Sequence, residues 1–299
     1  MSILSKIKRG GDALPPRIIL SGPEGIGKST FAAGAPSPLF IAQEDGLTGL
    51  DHVQRFQPSN YGEIVGLVDE LRATKEPLPC ETLAVDTVDW LERSIHRFIC
   101  ERDGKTDIEA YGYGKGYKIA EGELVSLLTK LDALRHEKKI GIILLSHVHI
   151  RTFTDPAGEA WDRYEMKGHK GFTGILREWP DACLFAVYEV FKSKAEKGSD
   201  RTKAIAGERI IHTTWSPGWD AKNRLSLPET LALDYAEFSA AVEANRPDIL
   251  RENFAALLKT AELPADERVR WEKVDVAATP PDRLKAGIAK LQAIQPQTK

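Results

Sequence analysis

Apolar positions along this chain fall into two alternating patterns. Short, nearly unbroken apolar runs stand at Arg17–Leu20, Pro38–Ala42, Thr82–Val85 and Ile140–Leu145. Runs of that length read as strands buried on both faces. Between them apolar residues recur at helical spacing. Asn60 is placed to cap a helix carrying Ile64, Val65, Leu67, Val68 and Leu71. A second helix carries Trp90, Leu91, Ile95, Phe98 and Ile99, and a third, over 118–137, carries Leu124, Leu127, Leu128, Leu131 and Leu134. Strands alternating with helices predict an α/β fold with a mostly parallel central sheet flanked by helices.

The pattern then loosens. Residues 103–117 and 147–170 show no clear period and read as irregular segments, the second as a long loop. A helix near Phe172–Trp179 follows, then strands at Cys183–Tyr188 and Arg209–Thr214, which read as a late antiparallel extension. From Asp234 onward helical signals dominate, and Pro280-Pro281 precedes a last amphipathic stretch, Leu284–Ile294. This divides the chain into an N-terminal arm (1–14), a core (15–236) and a small helical C-terminal region (237–299), with no internal repeat.

The most specific signal sits between the first strand and a helix start. Gly22-Pro23-Glu24-Gly25-Ile26-Gly27-Lys28-Ser29, followed by Thr30, matches G-x-x-x-x-G-K-[ST] in the context that pattern requires. The glycines let backbone N–H groups turn inward around an anion, and Lys28 supplies a point charge for the β- and γ-phosphates. The Ser29 hydroxyl is placed to ligate magnesium, and the helix amino end faces the same phosphates. The expected cofactors are ATP and Mg²⁺.

Other residues take their roles from this loop. Asp86 closes the third strand, where a carboxylate can hold magnesium; Asp89 competes for that role. Position 87 is Thr, so a glutamate base directly after Asp86 is missing. Glu44, just past the second strand, is the candidate base, with Asp45 as the alternative. Ser146 and His147 end the fourth strand, where a polar pair can sense the γ-phosphate. His147 and His149 lack a Cys or third His at usable spacing, which argues against zinc. Tyr113, Lys115 and Tyr117 interleave aromatics and a cation with glycines, a composition suited to unpaired bases. Arg151, Arg163, Lys167 and Lys170 add cations in the next irregular segment, diluted by Asp155, Glu159, Asp162 and Glu165. Lys222 and Arg224 project the same way if the chain is extended there, and can reach a neighbouring subunit's γ-phosphate.

Composition narrows the setting. Net charge is −3 over 299 residues, which excludes a histone-like polycation, so nucleic-acid contact has to come from local patches. Cys80, Cys100 and Cys183 lack C-x-x-C spacing and read as reduced hydrophobes. No apolar run of membrane-spanning length and no signal-peptide core is present, so the expectation is a cytoplasmic protein without a membrane partner.

Taken in order, these parts resemble the RecA-like P-loop ATPases, most closely the phage-encoded Sak-type group related to single-strand annealing proteins. The likeness covers residues 15–236. It implies a RecA-like P-loop NTPase fold in which Glu44 activates water, Ser146-His147 senses γ-phosphate, and segments 103–117 and 148–170 contact DNA. It further implies that Lys222 and Arg224 act across a subunit interface in a homo-oligomeric ring or filament. The implied function is ATP-dependent, single-stranded-DNA-binding work in phage or prophage recombination, by annealing or pairing, with a single-strand-binding protein as a further partner. Two departures stand out. Residues 1–14 lack the polymerisation helix of RecA, and the last 60 or so residues lie outside the likeness. The alternative is an ATP-gated protein-interaction module that docks partners through segment 192–209 and the helical C-terminus. A small-molecule kinase is disfavoured because no Arg-rich lid is evident.

Overall fold

The computed structural model describes residues 14–44, 46–155, 158–194, 202–261, 263–277 and 279–294. Residues 1–13 of the expected arm and Asp45, the alternative base, lie outside the described residues. So does part of segment 192–209.

In chain order, β1 (Arg17–Gly22) leads through the phosphate loop to α1 (Lys28–Ala33), β2 (Pro38–Ala42) and a short β3 (Gln54–Phe56). Next come α2 (Tyr61–Ala73), β4 (Thr82–Asp86), α3 (Val88–Asp103), a 3₁₀ turn at Ile108–Tyr111, α4 (Lys115–Lys138) and β5 (Gly141–Phe153). Then follow β6 (Trp161–Met166), α5 (Lys170–Glu178), β7 (Ala182–Lys194), β8 (Thr202–His212), β9 (Lys222–Asn223) and β10 (Thr230–Ala232). The last helices are α6 (Tyr235–Ala244), α7 (Pro247–Thr260), α8 (Ala265–Glu272) and α9 (Pro281–Ile294).

The sheet runs β10-β8-β7-β1-β5-β4-β2-β3. Every pairing from β7 to β3 is parallel. Parallel strands need crossovers, and the intervening helices cover the faces, which is why these strands are nearly continuous apolar runs. On one face Ile64, Val68, Leu91, Ile95, Leu124, Leu127 and Leu131 pack on Leu83, Val85, Ile142 and Leu144, all essentially fully buried. Each such side chain contributes about 1.5–3 kcal/mol of transfer free energy. Asn60 caps α2 as expected: the Glu63 N–H donates to Asn60 Oδ1 at 3.1 Å, and Glu63 accepts from the Ser59 N–H at 2.8 Å.

One topological fact positions the site. β5 lies between β1 and β4, in a register that sets Gly22 beside His147 and Asp86 beside Leu145. The phosphate loop, Ser146-His147 and Asp86 therefore emerge side by side at the carboxyl edge of one parallel sheet, where open α/β sheets bind ligands.

Three expectations need correction. The 147–170 stretch is not a long loop, because β5 continues to Phe153 and folds back antiparallel onto β6, Val148 facing Met166 and Phe153 facing Trp161. Its inward positions include the ion-paired Arg163, so no apolar alternation advertises the strands. β7 belongs to the parallel sheet beside β1, and the antiparallel extension is β8 and β10, with β9 on the other end of β7. Finally, α4 starts at Lys115, which places Lys115 and Tyr117 in a helical turn rather than in irregular chain.

The chain forms two compact units. The first runs to Arg224 and takes in Glu229–Tyr235; the second comprises Leu225–Pro228 and Ala236 onward. Within the second, Leu250, Phe254, Ala261, Leu284 and Leu291 form a small core, and Phe254 packs on Trp271 with ring centroids 5.7 Å apart. No helix among the described residues is long and apolar enough to cross a membrane.

Candidate nucleotide-binding site

The phosphate loop is built by backbone restraint. Gly27, with φ 110°, adopts a conformation that side chains resist, and it hands the chain to α1 at Lys28. Gly22 lies so close to β7 that a Cβ there would stand 2.7 Å from the Ala186 carbonyl oxygen. The Lys28 ammonium, nearly buried, donates to the Gly22 carbonyl at 3.0 Å and the Pro23 carbonyl at 2.8 Å. Burial pulls its pKa down, while Asp86, Glu24, Asp89 and Glu44 push the other way.

Across the cleft the Ser29 hydroxyl donates to Asp86 Oδ2 at 2.7 Å. Burial raises the Asp86 pKa, opposed by that hydrogen bond and by Lys28. A hydroxyl and a carboxylate converging in this way are hard oxygen donors. Among the described residues this pair of donors suits magnesium, whose remaining positions water and phosphate oxygens could fill. Glu44 stands half-buried past β2. Its neighbour Gln43 is fixed by three contacts: its N–H donates to the Asp86 carbonyl at 3.0 Å, its amide nitrogen to the Thr87 carbonyl at 3.4 Å, and its amide oxygen accepts from Ser94 at 2.9 Å. Gly25, Gly27, Lys28, Ser29, Thr30, Glu44, Asp86 and His147, with Gly46 and Thr48–Leu50, line one cleft of about 450 Å³.

Asp89, in the first turn of α3, does something the sequence did not reveal. His147 Nδ1 lies 3.2 Å from each Asp89 carboxylate oxygen. Burial alone would raise the Asp89 pKa, but the hydrogen bonds and charge of His147 outweigh it and bring the carboxyl down to about 2. An ionised carboxylate only accepts, so Nδ1 carries the proton and the ring is held in one orientation at the cleft.

The residues read as DNA contacts separate into two groups. Tyr113 is fully exposed, and Lys115, Arg151 and Lys170 are exposed. Arg151 makes a loose pair with Glu165 at 3.7 Å. Tyr117 stacks on His169 at 4.2 Å and donates to Glu109, which brings the amino ends of α4 and α5 together. Two cations are engaged elsewhere. Arg163 is buried and donates to Asp220 at 2.5 Å, Arg177 holding the other Asp220 oxygen at 2.7 Å. That corrects its reading as a DNA contact, since the guanidinium is enclosed by its own fold. Lys167 meets the Glu24 carboxylate of the phosphate loop.

Lys222 differs from its expectation as well. Its ammonium caps the carboxyl end of α5, donating to the Arg177 carbonyl at 2.9 Å and the Glu178 carbonyl at 2.7 Å within the same chain. Arg224 is exposed. Arg209 on β8, which the sequence pattern marks only as a strand start, reaches the loop as well, Nη1 donating to the Ile26 carbonyl at 3.4 Å. Its signal was invisible because it depends on the antiparallel return of β8.

A family model described as an AAA domain matches residues 14–225. The chain belongs to this AAA domain family. The match covers the phosphate loop, Glu44, Asp86 and His147, so the whole cleft lies inside the AAA domain. No curated protein matches the chain. Among solved structures, the crystal structure of the RadB recombinase is similar at 16% identity and a TM-score of 0.39, with 68% of this chain and 82% of that chain covered.

Proposed function

We propose that this AAA-domain protein is a magnesium-dependent, RecA-like ATPase that works on single-stranded DNA in recombination of the phage Sak type, by annealing or pairing. The observation that carries the reading is the convergence of Lys28, Ser29, Asp86, Glu44 and His147 on one cleft at the carboxyl edge of the parallel sheet.

In this reading the loop N–H groups and Lys28 hold the triphosphate. Ser29 and Asp86 would hold magnesium, which when bound would supply positive charge to offset that of the phosphates. Glu44 orients a water whose oxygen bonds to the γ-phosphorus as the bond to the β–γ bridging oxygen breaks. ADP leaves with that electron pair, and the water proton passes to the Glu44 carboxylate. His147, fixed by Asp89, hydrogen-bonds the terminal phosphate and relays its presence along β5 into the β5–β6 hairpin.

DNA binding in this proposal uses Tyr113, Lys115, Arg151 and Lys170, the exposed members of the two segments. Tyr113 stacks on a base while the cations meet phosphates. Arg224 is the exposed cation proposed to reach a neighbouring subunit's nucleotide in a homo-oligomer. The test is ATP hydrolysis with and without single-stranded DNA over a salt series, alongside Arg224→Ala. Stimulation that fades with salt and is lost in the variant supports the reading. Hydrolysis indifferent to DNA favours an ATP-gated protein-interaction module instead.

A further inference from the structure

Lys167 directly follows β6, where the hairpin returns to the sheet edge. Its backbone N–H donates to the His147 carbonyl at 2.9 Å, and His147 lines the cleft. Two residues later, the His169 N–H donates to both Glu92 oxygens at 3.0 and 3.1 Å, and Glu92 lies one helical turn beyond Asp89. The short turn is therefore pinned at both ends, and the Lys167 side chain starts from a fixed point.

From that point the ammonium meets the Glu24 carboxylate, joining residues 143 apart in sequence. Glu24 follows Pro23, whose carbonyl holds the Lys28 ammonium. Lys167 thus stands at the mouth of the phosphate loop, in the same chain. We infer that Lys167 is a second phosphate-binding cation of this site, which leaves Glu24 for the γ-phosphate of a bound nucleoside triphosphate.

The inference rests on the nucleotide-binding reading above. Three physical points support it. The Lys167–Glu24 pair is weak, because its side chains are 41% and 61% exposed and water screens such pairs. A terminal phosphate offers more charge and three acceptor oxygens, so it outcompetes one carboxylate. ADP lacks that group, so after hydrolysis Lys167 returns to Glu24. The site thereby distinguishes triphosphate from diphosphate within one subunit through the Lys167 side chain, while the turn that joins β6 to α5 stays held by His147 and Glu92.

The test titrates ADP and a non-hydrolysable ATP analogue, with magnesium, into full-length wild type, Lys167→Ala, Lys167→Arg, Glu24→Gln and Lys28→Ala by calorimetry. Lys167→Ala is expected to weaken the triphosphate analogue by about tenfold to a hundredfold and to leave ADP unchanged. Lys167→Arg restores most of the difference. Glu24→Gln, which frees the ammonium, tightens the triphosphate analogue alone. A Lys167→Ala protein with an unaltered ratio of triphosphate to ADP affinity overturns the inference, provided Lys28→Ala abolishes binding. If Lys28→Ala binds both nucleotides as wild type does, the nucleotide-site reading falls, and the inference with it.

Discussion

The Ser29 hydroxyl donates to the Asp86 carboxylate at 2.7 Å, joining residues 57 apart in the chain. The contact exists because β5 intervenes between β1 and β4, which sets the two strand ends one strand apart and lets a hydroxyl on α1 span the gap. The hydrogen bond holds both oxygens in place before any cation arrives. Asp86→Asn is expected to keep the fold and to reduce ATP hydrolysis roughly 10- to 100-fold, with partial recovery at raised magnesium. Hydrolysis rates over a magnesium titration check this; an unshifted magnesium dependence would remove Asp86 from the metal site.

Lys28 gives a pH signature. Burial lowers its pKa from 10.5 in the nucleotide-free protein, and phosphates placed beside it favour the charged form and raise it again. Nucleotide binding therefore takes up a proton at pH values between the lowered pKa and the restored one. Affinity falls as pH rises into that window. Calorimetry in buffers of different ionisation enthalpy reads the proton directly, and release instead of uptake would contradict the assignment.

Asp89 and His147 predict an acid-sensitive contribution to stability. The folded-state pKa of Asp89, about 2, lies below its ordinary value of 3.8. The stabilisation is complete above the ordinary value and is lost as pH falls through about 2, amounting to about 2 kcal/mol. Asp89→Asn should lose that amount at neutral pH and show a flatter stability profile in the acid window. Urea unfolding across pH measures it. In the proposed mechanism the same variant also lowers hydrolysis, since the imidazole loses its orienting carboxylate.

Arg163 and Lys170 separate structure from DNA binding. Arg163→Ala removes one of two guanidinium groups from Asp220 and is expected to cost about 1–3 kcal/mol of stability while leaving the salt dependence of DNA binding unaltered. Lys170→Ala is expected to do the reverse, reducing the salt slope by about 1 with little change in melting temperature. Fluorescence anisotropy with a labelled single strand, paired with thermal melts, distinguishes them.

How much of this was legible in the sequence depends on how local each feature is. The phosphate loop, the Asp86 strand end and the Asn60 cap are set by contiguous residues and stand where the spacing puts them. The β5–β6 hairpin escaped because its buried positions include Arg163, whose burial is made tolerable by Asp220, a residue 57 positions away. Periodicity cannot register a charged residue that faces inward. The parallel seat of β7 beside β1, the Asp89–His147 couple and the Lys167–Glu24 pair follow from strand order and register. Lys222 was misplaced for a related reason: extended chain predicts a direction but not the carboxyl end of α5 that receives the ammonium.

The most direct test of the central claim is the steady-state rate of ATP hydrolysis by wild type and Lys28→Ala in magnesium, with both proteins shown to be folded. Magnesium-dependent hydrolysis by wild type that collapses in Lys28→Ala is the predicted result. Equal rates in the two folded proteins would contradict the account, because the cleft around Lys28 would then not be where the chemistry occurs.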